Sequence, residues 1–306
     1  MGFFQTFWSW LNEILSGYVG SNTARVSAAL EPAVVTLSTV YLMVWGFLQL
    51  TGRIEEPVAH GLRRMIVLAV VMGTALHLWL YNTIIVDSFY TAPAQLAAVI
   101  VGSSDPVTTI DAIWGQGGSV AGQLWEKGGV LSGDFGYYLA GAVVWLLIGL
   151  LCVYAMFLIA LSSIASAVLL AIGPLFITML LFDSTRRYFE AWVAQLANYA
   201  LISVLTVLVA ALLLQIVKSY ATQTAARGAA ILTVDALDMV LVAALVFLLL
   251  RQIMPIAAGL AGGVALSSFG AVSRVITWGL GAGGSMVRPA AAIAIRTGGR
   301  GEESDP

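Results

Sequence analysis

Residues Ala171 to Ala200, AIGPLFITMLLFDSTRRYFEAWVAQLANYA, decide how the chain is read. A helix-breaking Gly173-Pro174 pair lies inside an apolar run, charged residues follow at Asp183, Arg186 and Arg187, and apolar sequence resumes at Trp192. In hydrocarbon every backbone N–H and C=O needs a partner, so a proline that removes a donor is tolerated only where protein or water covers the break. This stretch therefore either lines a cavity or packed interface, or is a plain loop between two spans.

Composition supports the membrane reading. Of 306 residues 60% are hydrophobic and 10% charged, and mean hydropathy is +0.94, far from the balance of soluble domains. A formal net charge of −2 gives no global attraction to nucleic acid. Cys152, the only cysteine, rules out an internal disulfide and reads as buried packing. No basic residue precedes Arg25, so a cleaved signal peptide is not expected.

Working outward, residues 3–19 place Phe4, Phe7, Trp8, Leu11, Ile14, Leu15 and Tyr18 at helical spacing with polar residues between, an amphipathic helix for the membrane interface or for a partner. Glu31-Pro32 suits a helix start, and Ala33 to Leu50 is the first charge-free span. Met65 to Val86 reads as the second span. Asp87 to Gly136 reads as a glycine-rich outer loop, five acids against Lys127 alone for a net −4. Tyr137 to Phe182 then runs 46 residues without a charge. At about 1.5 Å per residue that is some 69 Å of helix against roughly 30 Å of hydrocarbon. It must be two spans, or one span plus a re-entrant or extended segment. Trp192 to Val217 and Met239 to Leu250 complete the set.

The expected fold class is therefore an all-α polytopic membrane protein with about five transmembrane helices. The expected organisation is an amphipathic segment 1–30 on the outer side, a bundle 31–256 with outer loop 87–136, and a Gly/Ala-rich cytoplasmic tail 257–306. Five spans place ten of the 14 Lys/Arg residues on the side of Arg53, Arg186 and Arg187, the best agreement with the positive-inside rule. The amino terminus is then periplasmic and the carboxyl terminus cytoplasmic. Ser163, Ala167 and Ala171, four apart, form a small face suited to close helix packing.

Chemistry-bearing patterns are sparse. Every acid and base can be placed at a span end, loop or tail, which counts against an ion-coupled carrier. His60, His77 and Cys152 have no metal-ligand spacing, no catalytic constellation is visible, and neither cofactor nor metal is expected. Gly279-Leu-Gly281-Ala-Gly283-Gly284 lacks the strand and the Lys-Ser/Thr of a phosphate loop.

The residues Gly173-Pro174-Leu175-Phe176, Leu181-Phe182, Thr185-Arg186-Arg187-Tyr188-Phe189, Trp192, Gln195 and Asn198-Tyr199-Ala200 resemble the signature of the TrbL-type conjugal transfer family, which includes the polytopic VirB inner-membrane subunit of type IV secretion systems. The segment Ala257 to Gly270 is similar to that family's post-membrane region. The resemblance implies a non-enzymatic scaffold or channel subunit of the bacterial inner membrane. It also implies a homo-oligomer that contacts other secretion-system subunits, the pilus, membrane lipid and translocated DNA or protein, with Gly173, Pro174, Arg186, Arg187 and Trp192 as the assembly motif. A small-solute permease and a membrane anchor without a passage role are the alternatives.

Overall fold

The computed structural model describes residues 2–52, 58–102, 106–128, 135–182, 184–227 and 233–280, and they are helical with no strand among them. Arg53, Asp105, Asp134, Asp183, Gly281, Gly283, Gly284 and the tail arginines Arg288, Arg296 and Arg300 lie outside the described residues. The chain forms two compact units, 1–265 and 266–306, and residues 266–280 of the second are helical.

In order, the helices are α1 (Phe3–Leu50), α2 (Val58–Leu76), α3 (Leu78–Tyr81), a π-helical stretch (Asn82–Thr91), α4 (Ala92–Val101), α5 (Pro106–Lys127), α6 (Phe135–Ala171), α7 (Gly173–Thr178), a 3-10 turn (Met179–Leu181), α8 (Arg186–Arg227) and α9 (Thr233–Leu280). Five segments are long and apolar enough to cross a membrane: Phe3–Leu50, Leu78–Val101, Phe135–Ala171, Arg186–Ser219 and Val240–Gly262. The chain is thus an all-α bundle of the polytopic membrane class. Cys152 is buried in it, its thiol 3.7 Å from the Ile110 carbonyl.

Three expectations are corrected. First, Pro32 does not start a helix; α1 runs through it for 48 residues, about 72 Å. The carbonyl that loses its donor belongs to Ala28, and Ala28 and Pro32 both face outward, so the defect costs little packing. The buried stripe Leu11, Leu15, Val19, Thr23, Ser27 holds the amino-terminal half of α1 to the rest of the chain. Second, Met65 to Val86 is not one span. The helix breaks at His77, whose backbone is extended (φ −98°, ψ 103°), and the spanning segment begins after it.

Third, the described residues of 87–136 are mostly helical and not loop. Asp87 sits in the π-helical stretch, and α5 packs between α6 and α8 with Val107, Ile110, Ile113, Val120, Ala121 and Leu124 buried. Of its glycines, Gly117 is a contact point, and Gly141 of α6 is one that meets α5. A Cβ built on Gly117 would lie 2.6 Å from Ile148 Cδ1, and one on Gly141 of α6 2.5 Å from Trp125 Nε1. Glycine here admits a close neighbour where the sequence suggests a turn.

Two contacts set the register. Asp111 of α5 accepts the backbone N–H groups of Phe4 (3.1 Å) and Gln5 (3.0 Å), capping the start of α1 from a different helix. Ile110, beside it, meets Cys152 of α6, while Thr23 of α1 reaches the Leu170 carbonyl of α6. From Phe4 to Thr23 is 19 residues on α1, and from Cys152 to Leu170 is 18 on α6, so the two helices run parallel and in step. The remote cap should cost about 1 kcal/mol to remove. Asp111→Ala is expected to lower the melting temperature of the detergent-solubilised protein and to expose residues 3–20 to protease first.

Candidate functional site

The motif singled out by the sequence lies at a junction of two broken helices. The first break ends α6. In an uninterrupted helix the Leu169 and Leu170 carbonyls would accept the N–H groups of residues 173 and 174, and Pro174 has none. Ile172 turns the chain out of the helix (φ −98°, ψ 4°), and Leu175 N–H donates to the Ile172 carbonyl (3.2 Å) as α7 begins. The second break, at His77, frees the carbonyls at the end of α2.

Donors for these carbonyls come from other helices. The Trp192 indole Nε1–H of α8 donates to the Leu169 carbonyl at 2.9 Å. The Tyr81 hydroxyl of α3 donates to the Leu170 carbonyl, and the Thr23 hydroxyl of α1 approaches the same oxygen at 3.5 Å. One turn along α1, the Ser27 hydroxyl donates to the Ala75 carbonyl at 2.7 Å, next to the His77 break. Thr23 and Tyr81 are fully buried and Trp192 is 2% exposed, so each bond replaces water that cannot reach these oxygens.

Gly173 keeps the donors in place. A Cβ there would strike the Tyr81 hydroxyl and come within 2.9 Å of Trp192 Cζ2. The Trp192 ring is further fixed by Phe176, stacked at 5.9 Å with 10° between planes, and by Phe189 at 5.6 Å. Gly173, Pro174 and Ile177 are buried, and Ile177 belongs to an apolar cluster with Leu11, Leu15, Val19, Ala167, Leu170 and Leu196.

The other motif residues are placed differently. Ala167 and Ala171 are buried on α6 and Ser163 is half-buried, at the levels of Val19, Thr23 and Leu15 on α1. Arg186 pairs with Glu190 one turn on (Nε–Oε1 3.3 Å), and Arg187 lies over the Tyr188 ring at 5.0 Å. Both arginines stand at the amino-terminal end of α8, where positive charge opposes the helix dipole, so their presence does not serve that helix's stability. Tyr81, Thr23 and Ser27 were not singled out by the sequence. Thr23 and Ser27 continue the four-residue stripe of Leu11, Leu15 and Val19, and hydroxyls replacing apolar residues on a buried stripe were the available signal.

The expectation that ionisable residues sit only at span ends is also corrected. Asp87 lies inside Leu78–Val101 and Arg251 inside Val240–Gly262, both exposed. Through the parallel register, Glu13 of α1 falls about level with Ala160 and Leu161 of α6. Span ends drawn at charges hide any charge the helix carries through the membrane. Among the described residues no three His, Cys, Asp or Glu side chains gather as a metal site would require.

The sequence profile described as TrbL/VirB6 plasmid conjugal transfer protein matches residues 38–253, which include Tyr81, Leu170, Gly173, Pro174 and Trp192. The chain is 22% identical over 218 residues to the type IV secretion system protein VirB6 of Bartonella quintana, covering 67% of this chain and 66% of that protein. It is 28% identical over 185 residues to VirB6 of Brucella abortus, covering 57% and 52%. With the type IV secretion system protein PtlD of Bordetella pertussis it shares 28% over 192 residues, 57% of this chain and 39% of PtlD. These matches span between about two fifths and just under two thirds of the relatives' own length.

Removing one donor while keeping its ring leaves a buried carbonyl unsatisfied, at about 1–3 kcal/mol. Trp192→Phe and Tyr81→Phe are each expected to lower the unfolding midpoint in detergent, and Thr23→Val to lower it less, because its bond is the longest of the three.

Proposed function

This chain belongs to the TrbL/VirB6 conjugal transfer family, and from that premise we propose that it is a membrane-embedded component of a type IV secretion system, acting as scaffold and channel wall. The observation that supports the role is the junction at Gly173-Pro174. Three helices donate side-chain bonds to two carbonyls of a fourth, which makes a rigid node in a bundle that must hold shape while cargo moves beside it. In this reading the motif Gly173, Pro174, Arg186, Arg187 and Trp192 positions the subunit within the inner-membrane complex, and Ser163, Ala167 and Ala171 let α1 approach α6.

The reading extends to partners and placement. The subunit assembles with copies of itself, with other inner-membrane subunits and with the pilus, in contact with lipid and with translocated DNA or protein. It lies in the bacterial inner membrane with its amino terminus periplasmic and its carboxyl terminus cytoplasmic. The divisions 1–30, 31–256 and 257–306 are its functional segments. It performs no covalent chemistry of its own.

A small-solute permease is the second reading, favoured by Asp87 and Arg251, since carriers use charges within their spans. A flat uptake trace from the purified protein in liposomes eliminates it. For the secretion role, Gly173→Leu and Trp192→Ala are expected to abolish substrate transfer in cells while immunoblots still find the protein in the membrane fraction; undiminished transfer contradicts the role. For orientation, a cysteine at Ser184 should react with an impermeant thiol reagent only after the inner membrane is opened.

A further inference from the structure

The apolar half of α1 stands away from the other apolar segments. Leu78–Val101, Arg186–Ser219 and Val240–Gly262 reach α6, where Tyr81 meets Leu170, Trp192 meets Leu169 and the Phe247 ring lies 5.3 Å from that of Tyr154. The charge-free stretch 33–50 of α1 has no such place. Thr23 is level with Leu170, and the middle of 33–50 lies about 28 Å beyond it along an unbroken helix. The middle of α6 lies about 25 Å the other way. The two midpoints are some 50 Å apart against roughly 30 Å of hydrocarbon, so one bilayer does not hold both while α1 is extended.

The stretch forms a hairpin with α2. Within it Trp45 packs on Gly61, where a Cβ would strike the ring, and at its base the Ser27 hydroxyl donates to the Ala75 carbonyl. Both helices are interrupted next to that base. Pro32, five residues past Ser27, leaves the Ala28 carbonyl without a helical donor, and α2 ends at the extended backbone of His77, two residues past Ala75. Residues 28–33 are exposed apart from half-buried Leu30, so little packing opposes a bend there. Thr36 and Thr39 return their hydroxyls to the Pro32 and Val35 carbonyls at 2.7 and 2.8 Å, a pattern that favours bending.

We propose that Pro32 and His77 are a paired hinge about which this hairpin swings from its extended position to lie beside the bundle, so that all five apolar segments enter one bilayer; this rests on the five-span reading. Folding back about Pro32 lowers the middle of 33–50 by about 28 Å, to the level of Thr23 and Leu170, within the lengths of α6, α8 and Leu78–Val101. The Ser27 bond and the buried Val71 and Ala75 are the latch that the swing releases.

The test uses full-length protein in lipid nanodiscs. Spin labels at Val44→Cys and Leu146→Cys, both exposed, lie about 67 Å apart along the bundle when α1 is extended, with buried Cys152 setting the background. Double electron–electron resonance should find the distance below about 45 Å in lipid. Pro32→Ala, which restores the N–H, should shift the distribution toward the long distance. A label at Val40→Cys should be relaxed by oxygen and not by a water-soluble nickel chelate. A long distance with Val40 in lipid overturns the hinge, as does a distribution that Pro32→Ala leaves unchanged. Val40 in water, at either distance, overturns the five-span reading on which the hinge rests.

Discussion

A proline inside an apolar helix leaves a carbonyl that no neighbour on its own stretch of chain can satisfy, and much of this structure is arranged around that shortage. Pro174 withholds the donor that Leu170 would have used, and Tyr81 and Thr23 turn toward the oxygen while Trp192 serves Leu169 beside it. Because these residues sit on α1, α3 and α8, satisfying one short break ties three helices to α6. Gly173 is small for the same reason, since a methyl group would occupy the space of the Tyr81 hydroxyl and the Trp192 ring. The His77 break follows the same rule, with Ser27 as the donor.

Part of this was legible in the sequence. A Gly-Pro pair in a 46-residue charge-free run located the break, and the family resemblance drew attention to Trp192. The donors were not legible, because which distant hydroxyl reaches a carbonyl depends on helix register, and register is set by contacts such as Asp111 with the start of α1. The segment 87–136 was misread for a related reason. Glycine signals a turn when read locally, yet Gly117 is a place where Ile148 fits. Pro32 misled in the opposite direction, since on an outward face a proline bends or weakens a helix without ending it.

Charge placement shows how far local reading can go astray in a membrane protein. Drawing spans between charges makes every charge terminal by construction. In the folded chain Asp87 and Arg251 lie within segments apolar enough to span.

The central claim is that Tyr81 serves the carbonyl orphaned by Pro174, and a double-mutant cycle between Tyr81→Phe and Pro174→Ala measures it directly. Alanine restores an N–H at position 174, so in that background the hydroxyl has less left to do. Unfolding free energies in detergent should show Tyr81→Phe costing less in the Pro174→Ala background than in the parent chain, with a coupling of about 1 kcal/mol or more. Strict additivity of the two substitutions would contradict the account.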